Sequence, residues 1–136
     1  MLAIEIIRKI KCIFDEAGLR LFLRPYDILV VNSDSGLIEF IPDTISLHYI
    51  KKHYPSGLAT FFEENWPCHI EEAKANFAES MAGYSLISYI LKVKDRHNAN
   101  ILLDRQGHII HIDFGFMLGN SPGGNFNFET APFKLT

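Results

Sequence analysis

Residues 91–115 read LKVKDRHNANILLDRQGHIIHIDFG, and the types and spacing of their polar groups suit a site better than a core segment. From Asp95 to Asn100 the run is Asp-Arg-His-Asn-Ala-Asn, with Ala99 its single apolar side chain. Asp113, Phe114 and Gly115 come after a strand-like stretch. A hairpin centred near Gln106 returns Asp113 beside Asn100, because antiparallel strands advance about 3.3 Å per residue in opposite directions. An amide oxygen and a carboxylate then meet at the hairpin's open end, hard oxygen ligands of the kind magnesium takes alongside phosphates. Asp95 lies five residues before Asn100, in a loop free to curl toward the same point. Asp95 and His97 are both of a type to accept a hydroxyl proton, and their order of merit depends on burial.

That division of labour fits phosphoryl transfer, in which the protein orients the nucleophile and meets charge through metal. The Asp-x-x-x-x-Asn spacing followed by Asp-Phe-Gly is that of a kinase catalytic loop and metal motif. Asp-Phe-Gly alone is a weak signal, since a tripeptide arises by chance; the upstream spacing makes it strong. Without that context His97 reads as a satisfied polar residue more readily than as a base. His108 and His111 occupy alternate strand positions and read as structural. Arg96 reads as an internal hydrogen-bond donor in preference to a phosphate contact. Phe114, Phe116, Phe126, Phe128 and Phe133 read as core for most of the set, with a membrane-facing surface as the alternative.

The elements that must position these groups are legible in outline. Ile4, Ile7, Ile10, Cys12, Phe14 and Ala17 recur at helical steps, and Gly18 ends the stripe. LRLFLRPYDILVVNSDSGLIEFIPD offers three β-rich runs, an antiparallel meander with a turn signal at residues 32–36. Pro42 stops the last run, Asp43 or Thr44 caps the next element, and residues 46–52 read as a short helix, with another over 58–64. A long helix over 70–93 carries Ala73, Phe77, Met81, Tyr84, Ser85, Ser88 and Leu91 on one side. Gly83 within it signals close packing or is merely tolerated. Strands over 101–104 and 108–112 flank Arg105-Gln106-Gly107, and residues 114–136 read as an extended loop.

At 136 residues the chain is one domain, or two small lobes sharing a cleft, large enough to build a core. With 48% hydrophobic and 21% charged residues it is globular, and a net charge of -3 gives no reason to expect nucleic acid. Cys12 and Cys68 have no metal-binding spacing, which favours a reduced compartment. No apolar run approaches the ~18 residues of a membrane span. The N-terminal MLAIEIIRKIKCIF is too broken by charge for a secretory signal.

Four stretches carry a resemblance: LRPYDILVVNSDSGLIEFIPD, AGYSLISYILKVKDRHNANILLD, GHIIHIDFGFMLGNSPGG and the closing FKLT. They resemble the catalytic core of the phosphatidylinositol 3-/4-kinase family, in which Asp-Arg-His replaces the His-Arg-Asp of protein kinases. Within it they are most similar to the type III beta group of 4-kinases, to which Lys94 and the Phe-Lys-Leu-Thr ending fit best. The resemblance implies an α+β, truncated protein-kinase-like fold: an N-lobe remnant with hinge over 1–42, then a C-lobe over 43–136 with catalytic and activation loops. It implies ATP with magnesium, or manganese in its place. Glu39, Phe40 and Ile41 become the hinge that meets adenine through backbone groups, with Ile38 behind it and Tyr26, Leu102 and Ile112 lining the pocket. Asp95 and His97 serve the hydroxyl, and Asn100 and Asp113 hold the metal.

The same resemblance makes residues 114–136 the activation loop facing the lipid headgroup. That loop contains one basic residue, Lys134, and one acidic residue, Glu129. A headgroup already carrying extra phosphates would call for several lysines, so phosphatidylinositol with an unphosphorylated ring is the expected substrate. The expected partner is this lipid in a membrane, reached by peripheral contact on cytoplasmic organelle or plasma-membrane faces. Ala99 stands where the family usually has Gly, a change that strains the chain only if the backbone there needs positive φ. The family's phosphate-binding loop, strand lysine and its acidic partner belong before residue 1, and further helices after Thr136. The 136 residues alone are therefore expected to show little turnover. The rival reading is a non-catalytic fragment or pseudokinase that binds nucleotide or a partner, and a second rival changes the acceptor to a protein hydroxyl.

Overall fold

The computed structural model describes residues 2–32 and 34–119, so Lys134 and the loop beyond residue 119 lie outside the described residues. Ile4, Ile7 and Phe14 turn one apolar face of helix α1 (Leu2–Glu16) into the core. Gly18, at φ +64, closes the helix, with the Leu19 N–H returning to the Phe14 carbonyl at 2.9 Å. Cys12 and Ala17, expected on the buried stripe, are both exposed. The face that meets the core is narrower than the apolar spacing predicts.

Of the three expected strands in the meander, two form. Strands β1 (Ile28–Val30) and β2 (Gly36–Ile38) pair antiparallel, with Leu29 opposite Leu37. The run over 19–24 forms no strand because its backbone is bonded to a helix instead of to a neighbouring strand. Phe22 N–H donates to the Glu79 carbonyl at 3.4 Å, and Arg24 exchanges bonds with the Tyr84 hydroxyl at 3.1 and 3.2 Å. Strand β3 (Thr44–Ser46) stands where the sequence pattern predicts only a helix cap. Thr44 and Ser46 pair with Asp104 and Leu102, so distant chain supplies the partner that makes these residues a strand. Ser46 also caps helix α2 (Leu47–His53), its Oγ accepting from the Tyr49 N–H at 3.1 Å. Helix α3 (Leu58–Asn65) comes next.

Helix α4 (Ile70–Leu91) is the axis of the molecule, burying Ala73, Ser80, Tyr84, Ile87 and Leu91. Gly83 is required: a Cβ there would stand 2.6 Å from the Phe22 carbonyl oxygen. The helix ends at Lys92, which takes φ +48. A 3-10 turn, Asn98–Asn100, leads into strands β4 (Ile101–Asp104) and β5 (Ile109–His111), which complete a three-stranded sheet in the order β3-β4-β5. Three polar contacts fasten this hairpin to α4. Asn76 donates to the Gln106 carbonyl at 2.8 Å, Ser80 Oγ accepts the Ile109 N–H at 2.9 Å, and His111 stacks on Tyr84 with ring centres 4.6 Å apart. Burial first, then the Arg96 charge, pushes the His111 imidazole down to about 3, so it is neutral in the folded protein. His108, expected to open the strand, lies just before β5, pairs with Asp104 at 3.1 Å and stacks on Phe22, so both histidines have structural surroundings.

Candidate active site

Asn100 is the hub of the polar loop. Its Nδ2 donates to the Asp95 carbonyl at 3.0 Å, which turns its Oδ1 to the opposite side of the amide. The preceding 3-10 turn lets His97 Nδ1 accept the Ala99 N–H at 3.3 Å. The Nε2 of the same ring lies 3.2 Å from Asn100 Nδ2 and 3.7 Å from Asp95 Oδ1. The Asp95 carboxylate and the His97 ring thus face each other, both partly open to solvent. Ala99 lies inside the turn and is not among the positive-φ residues, so its methyl group brings no backbone strain.

Asp113 reaches the same neighbourhood through strand register. Ile101 pairs with His111, and the ladder continues as the Ile112 N–H donates to the Asn100 carbonyl at 3.0 Å. Asp113 is one residue further on, so the two chain segments run side by side with Ile112, and not Asp113, opposite Asn100. Asp95 and Asp113 both adopt left-handed backbone, at φ +58 and +57, a conformation costing about 1–2 kcal/mol for a residue with a Cβ. Such conformations persist where surrounding bonds hold them.

Arg96 supplies many of those bonds. It is 1% exposed, and its guanidinium donates to the carbonyls of Lys94 at 3.1 Å, Ile112 at 2.8 Å and Asp113. It also lies 5.4 Å from the centre of the Phe114 ring. The internal-donor reading of Arg96 is what the structure shows. Two main-chain bonds tie the segment after Gly115 to the loop: Lys94 N–H to Phe116 carbonyl, and Leu118 N–H to Leu91 carbonyl, both at 2.9 Å.

A cleft of about 820 Å³ opens beside this cluster. Tyr26, Ile38, Glu39, Phe40, Ile41, Leu102 and Ile112, the residues expected around adenine, all line it, and so does Asp113. Asp95, His97 and Asn100 are not among its lining residues. The Glu39 carboxylate, rather than its carbonyl, takes the Asp27 N–H, at 2.7 Å. Ile28, Thr44 and Met117 also line the cleft, as do Leu2, Ala3 and Ile4 from α1, and no sequence signal pointed to any of them. These are ordinary apolar or small residues, and only their position in space marks them.

The charged side chains among the described lining residues are Glu39 and Asp113, with no Lys or Arg. No group of three or more His, Cys, Asp or Glu capable of holding a metal occurs among the described residues. The available donors are instead the amide oxygen of Asn100 and the carboxylate of Asp113, hard oxygens that suit magnesium shared with phosphate oxygens. Among the described residues no helix is long and apolar enough to cross a membrane.

Comparison with known proteins adds an independent line. The family model described as "Phosphatidylinositol 3- and 4-kinase" matches residues 1–136. A protein named phosphatidylinositol 4-kinase beta 1 from Arabidopsis thaliana is 60% identical over 141 residues, covering 99% of this chain and 12% of that protein. A phosphatidylinositol 4-kinase from Dictyostelium discoideum is 52% identical, with 99% and 12% covered. A phosphatidylinositol 4-kinase beta from Xenopus tropicalis is 47% identical, with 100% and 17% covered. The chain thus spans 12–17% of the length of these relatives.

Proposed function

From the phosphatidylinositol 3- and 4-kinase family, to which this chain belongs, we propose that it forms the catalytic centre of a phosphatidylinositol 4-kinase. The reaction is transfer of the ATP γ-phosphoryl group to the 4-hydroxyl of phosphatidylinositol, giving phosphatidylinositol 4-phosphate. The observation that carries this reading is the cleft in which the expected adenine-lining residues and Asp113 meet. The names of the relatives support the choice of a 4-kinase.

In this reading residues 1–42 are the N-lobe remnant and 43–136 the C-lobe segment, a division supported by the two separate sheets, β1-β2 and β3-β4-β5. The backbone of Glu39, Phe40 and Ile41 meets the adenine edge, and Tyr26, Ile38, Leu102 and Ile112 enclose its faces. Asp95 and His97 orient the acceptor hydroxyl and take up its proton, their pairing at 3.7 Å letting one buffer the charge of the other. Asn100 and Asp113 hold magnesium, with manganese able to substitute, through amide and carboxylate oxygens. The bound ion supplies neutralisation of the phosphate charge as the phosphoryl group moves. Lys134 and its neighbours face the lipid headgroup, and the enzyme works at a cytoplasmic membrane face by peripheral contact.

A kinase assay with ATP and phosphatidylinositol vesicles, run on the longest form of the protein that contains this chain, tests the assignment. Asp113→Ala lowers turnover by on the order of 100-fold or more, with little change in unfolding free energy, since among the described residues its carboxylate accepts a hydrogen bond from the nearby Gly115 N–H, at 3.2 Å. Undiminished turnover by that variant would overturn the assignment. A peptide acceptor run in parallel separates a lipid from a protein kinase.

One observation favours the rival, a non-catalytic nucleotide- or partner-binding module: the described cleft offers a triphosphate no cationic side chain. Binding of a fluorescent ATP analogue by the 136-residue chain, with and without magnesium, measures how much the described residues achieve alone. Magnesium-dependent binding without turnover is the expected result. It leaves the charge neutralisation needed for chemistry to groups beyond the described cleft.

A further inference from the structure

Asp113 has a left-handed backbone, and its peptide groups are held from two sides. Arg96 takes its carbonyl, and the phenol of Tyr26 accepts its N–H at 3.3 Å. Tyr26 is distant in sequence, 4% exposed, and itself fixed at its main chain. Arg8 on α1 donates to the Tyr26 carbonyl at 3.3 Å and to the Asp27 carboxylate. Burial raises the phenol above its ordinary range, so the ring oxygen stays protonated and uncharged beside the carboxylate.

We propose that Tyr26 is a positioning residue for Asp113: its hydroxyl accepts the Asp113 N–H and so holds the carboxylate at the angle the metal requires. The inference rests on the reading of Asp113 as a metal-holding residue and adds to Tyr26 a role that its place in the cleft wall does not require. A wall residue needs only the ring. A positioning residue needs the oxygen, because a partly buried N–H left without an acceptor loses the bond that offsets the strain at φ +57. Strained metal-holding residues lose function through small misplacements, since phosphoryl transfer depends on alignment.

Tyr26→Phe keeps the ring and removes the oxygen; Tyr26→Leu removes the ring face as well. In Tyr26→Phe, amide hydrogen exchange of the segment 112–115 accelerates and kcat falls, each on the order of 5- to 10-fold for one lost hydrogen bond. The magnesium concentration for half-maximal activity rises, while KM for ATP at saturating magnesium stays within about 2-fold. Tyr26→Leu additionally raises KM for ATP. Exchange of residues 112–115 unchanged in Tyr26→Phe overturns the inference, as does faster exchange with kcat and magnesium dependence unaltered. A rise in KM for ATP alone overturns it too, leaving Tyr26 as cleft wall only. Asp113→Ala in the same series tells the two readings apart: full turnover by that variant removes the metal-holding assignment and this inference with it. A large loss there, with no effect in Tyr26→Phe, removes this inference alone.

Discussion

The segment around Arg96 and the hairpin that carries the proposed hinge face the same cleft but are built on opposite terms. Residues 94–113 are tied by main-chain bonds to Arg96, Tyr26 and their own strands, and the guanidinium at the centre is almost wholly buried. The β1-β2 hairpin is held mainly by its own ladder and leaves Leu29, Val30, Leu37 and Ile38 exposed, and Phe40, just beyond β2, is 84% exposed. The contrast matches what each region is proposed to do. Oxygen ligands that must align a phosphoryl group need fixed backbone, whereas an adenine edge is met by backbone groups that a two-stranded ribbon already aligns.

Four substitutions or titrations sharpen or break that contrast. Arg96→Ala is expected to have the largest effect, since it strands buried carbonyls and removes the clamp on Asp113: about 3–5 kcal/mol in urea unfolding. A loss no larger than that of a surface substitution would mean the clamp is not what holds the segment.

Next is acid. His111 is held neutral when folded, and its folded value of about 3 lies below the ordinary 6.5. Between those values the unfolded chain binds more protons, so stability rises with pH across the window, and the contribution is fully present only above about 6.5. Unfolding free energy should fall as pH drops from about 6.5 toward 3, at no more than about 1.4 kcal/mol per pH unit from this group. His111→Phe keeps a ring against Tyr84 and should flatten the profile. An identical slope in the variant would show that the imidazole is not the titrating group.

Gly83→Ala tests the close packing of α4 against residues 22 and 23. Helix propensity favours Ala by about 1 kcal/mol, but a Cβ placed 2.6 Å from the Phe22 oxygen must push two backbones apart. A net loss of about 1–3 kcal/mol is expected, and a gain would place Gly83 among tolerated glycines. Phe40→Ser is expected to change least, by less than about 0.5 kcal/mol in unfolding, because its side chain lies in solvent. Its nucleotide affinity, measured with the fluorescent analogue, should fall only a few-fold if the hinge acts through backbone.

Much of the site was legible because its signal is local. Asp95, His97 and Asn100 share one six-residue loop, and Asp113 comes after a hairpin whose turn residues, Arg105 to Gly107, set the register. The helices were legible for the same reason, their apolar spacing being a property of adjacent turns. Two short segments were not. Residues 19–24 have strand-like composition but bond to Glu79 and Tyr84 of α4, while Thr44–Ser46 became a strand because residues 102–104 lie alongside. In both cases the deciding partner is distant along the chain.

The sequence by itself determined the family, the mixed α+β class, the residue types of the proposed catalytic loop and of Asp-Phe-Gly, and the order of the elements that carry them. Residue types and near-neighbour spacing are written in the chain, and those features depend on nothing else. The tertiary structure alone decided that α1 closes the cleft with Leu2, Ala3 and Ile4, that Gly83 must have no side chain, and that Arg96 clamps the carbonyls at Ile112 and Asp113. It also brought the Tyr26 hydroxyl to the Asp113 N–H, across 87 residues of chain. A hydrogen bond acts over about 3 Å of space, whatever the length of chain between its ends, so such contacts exist only after the core has closed.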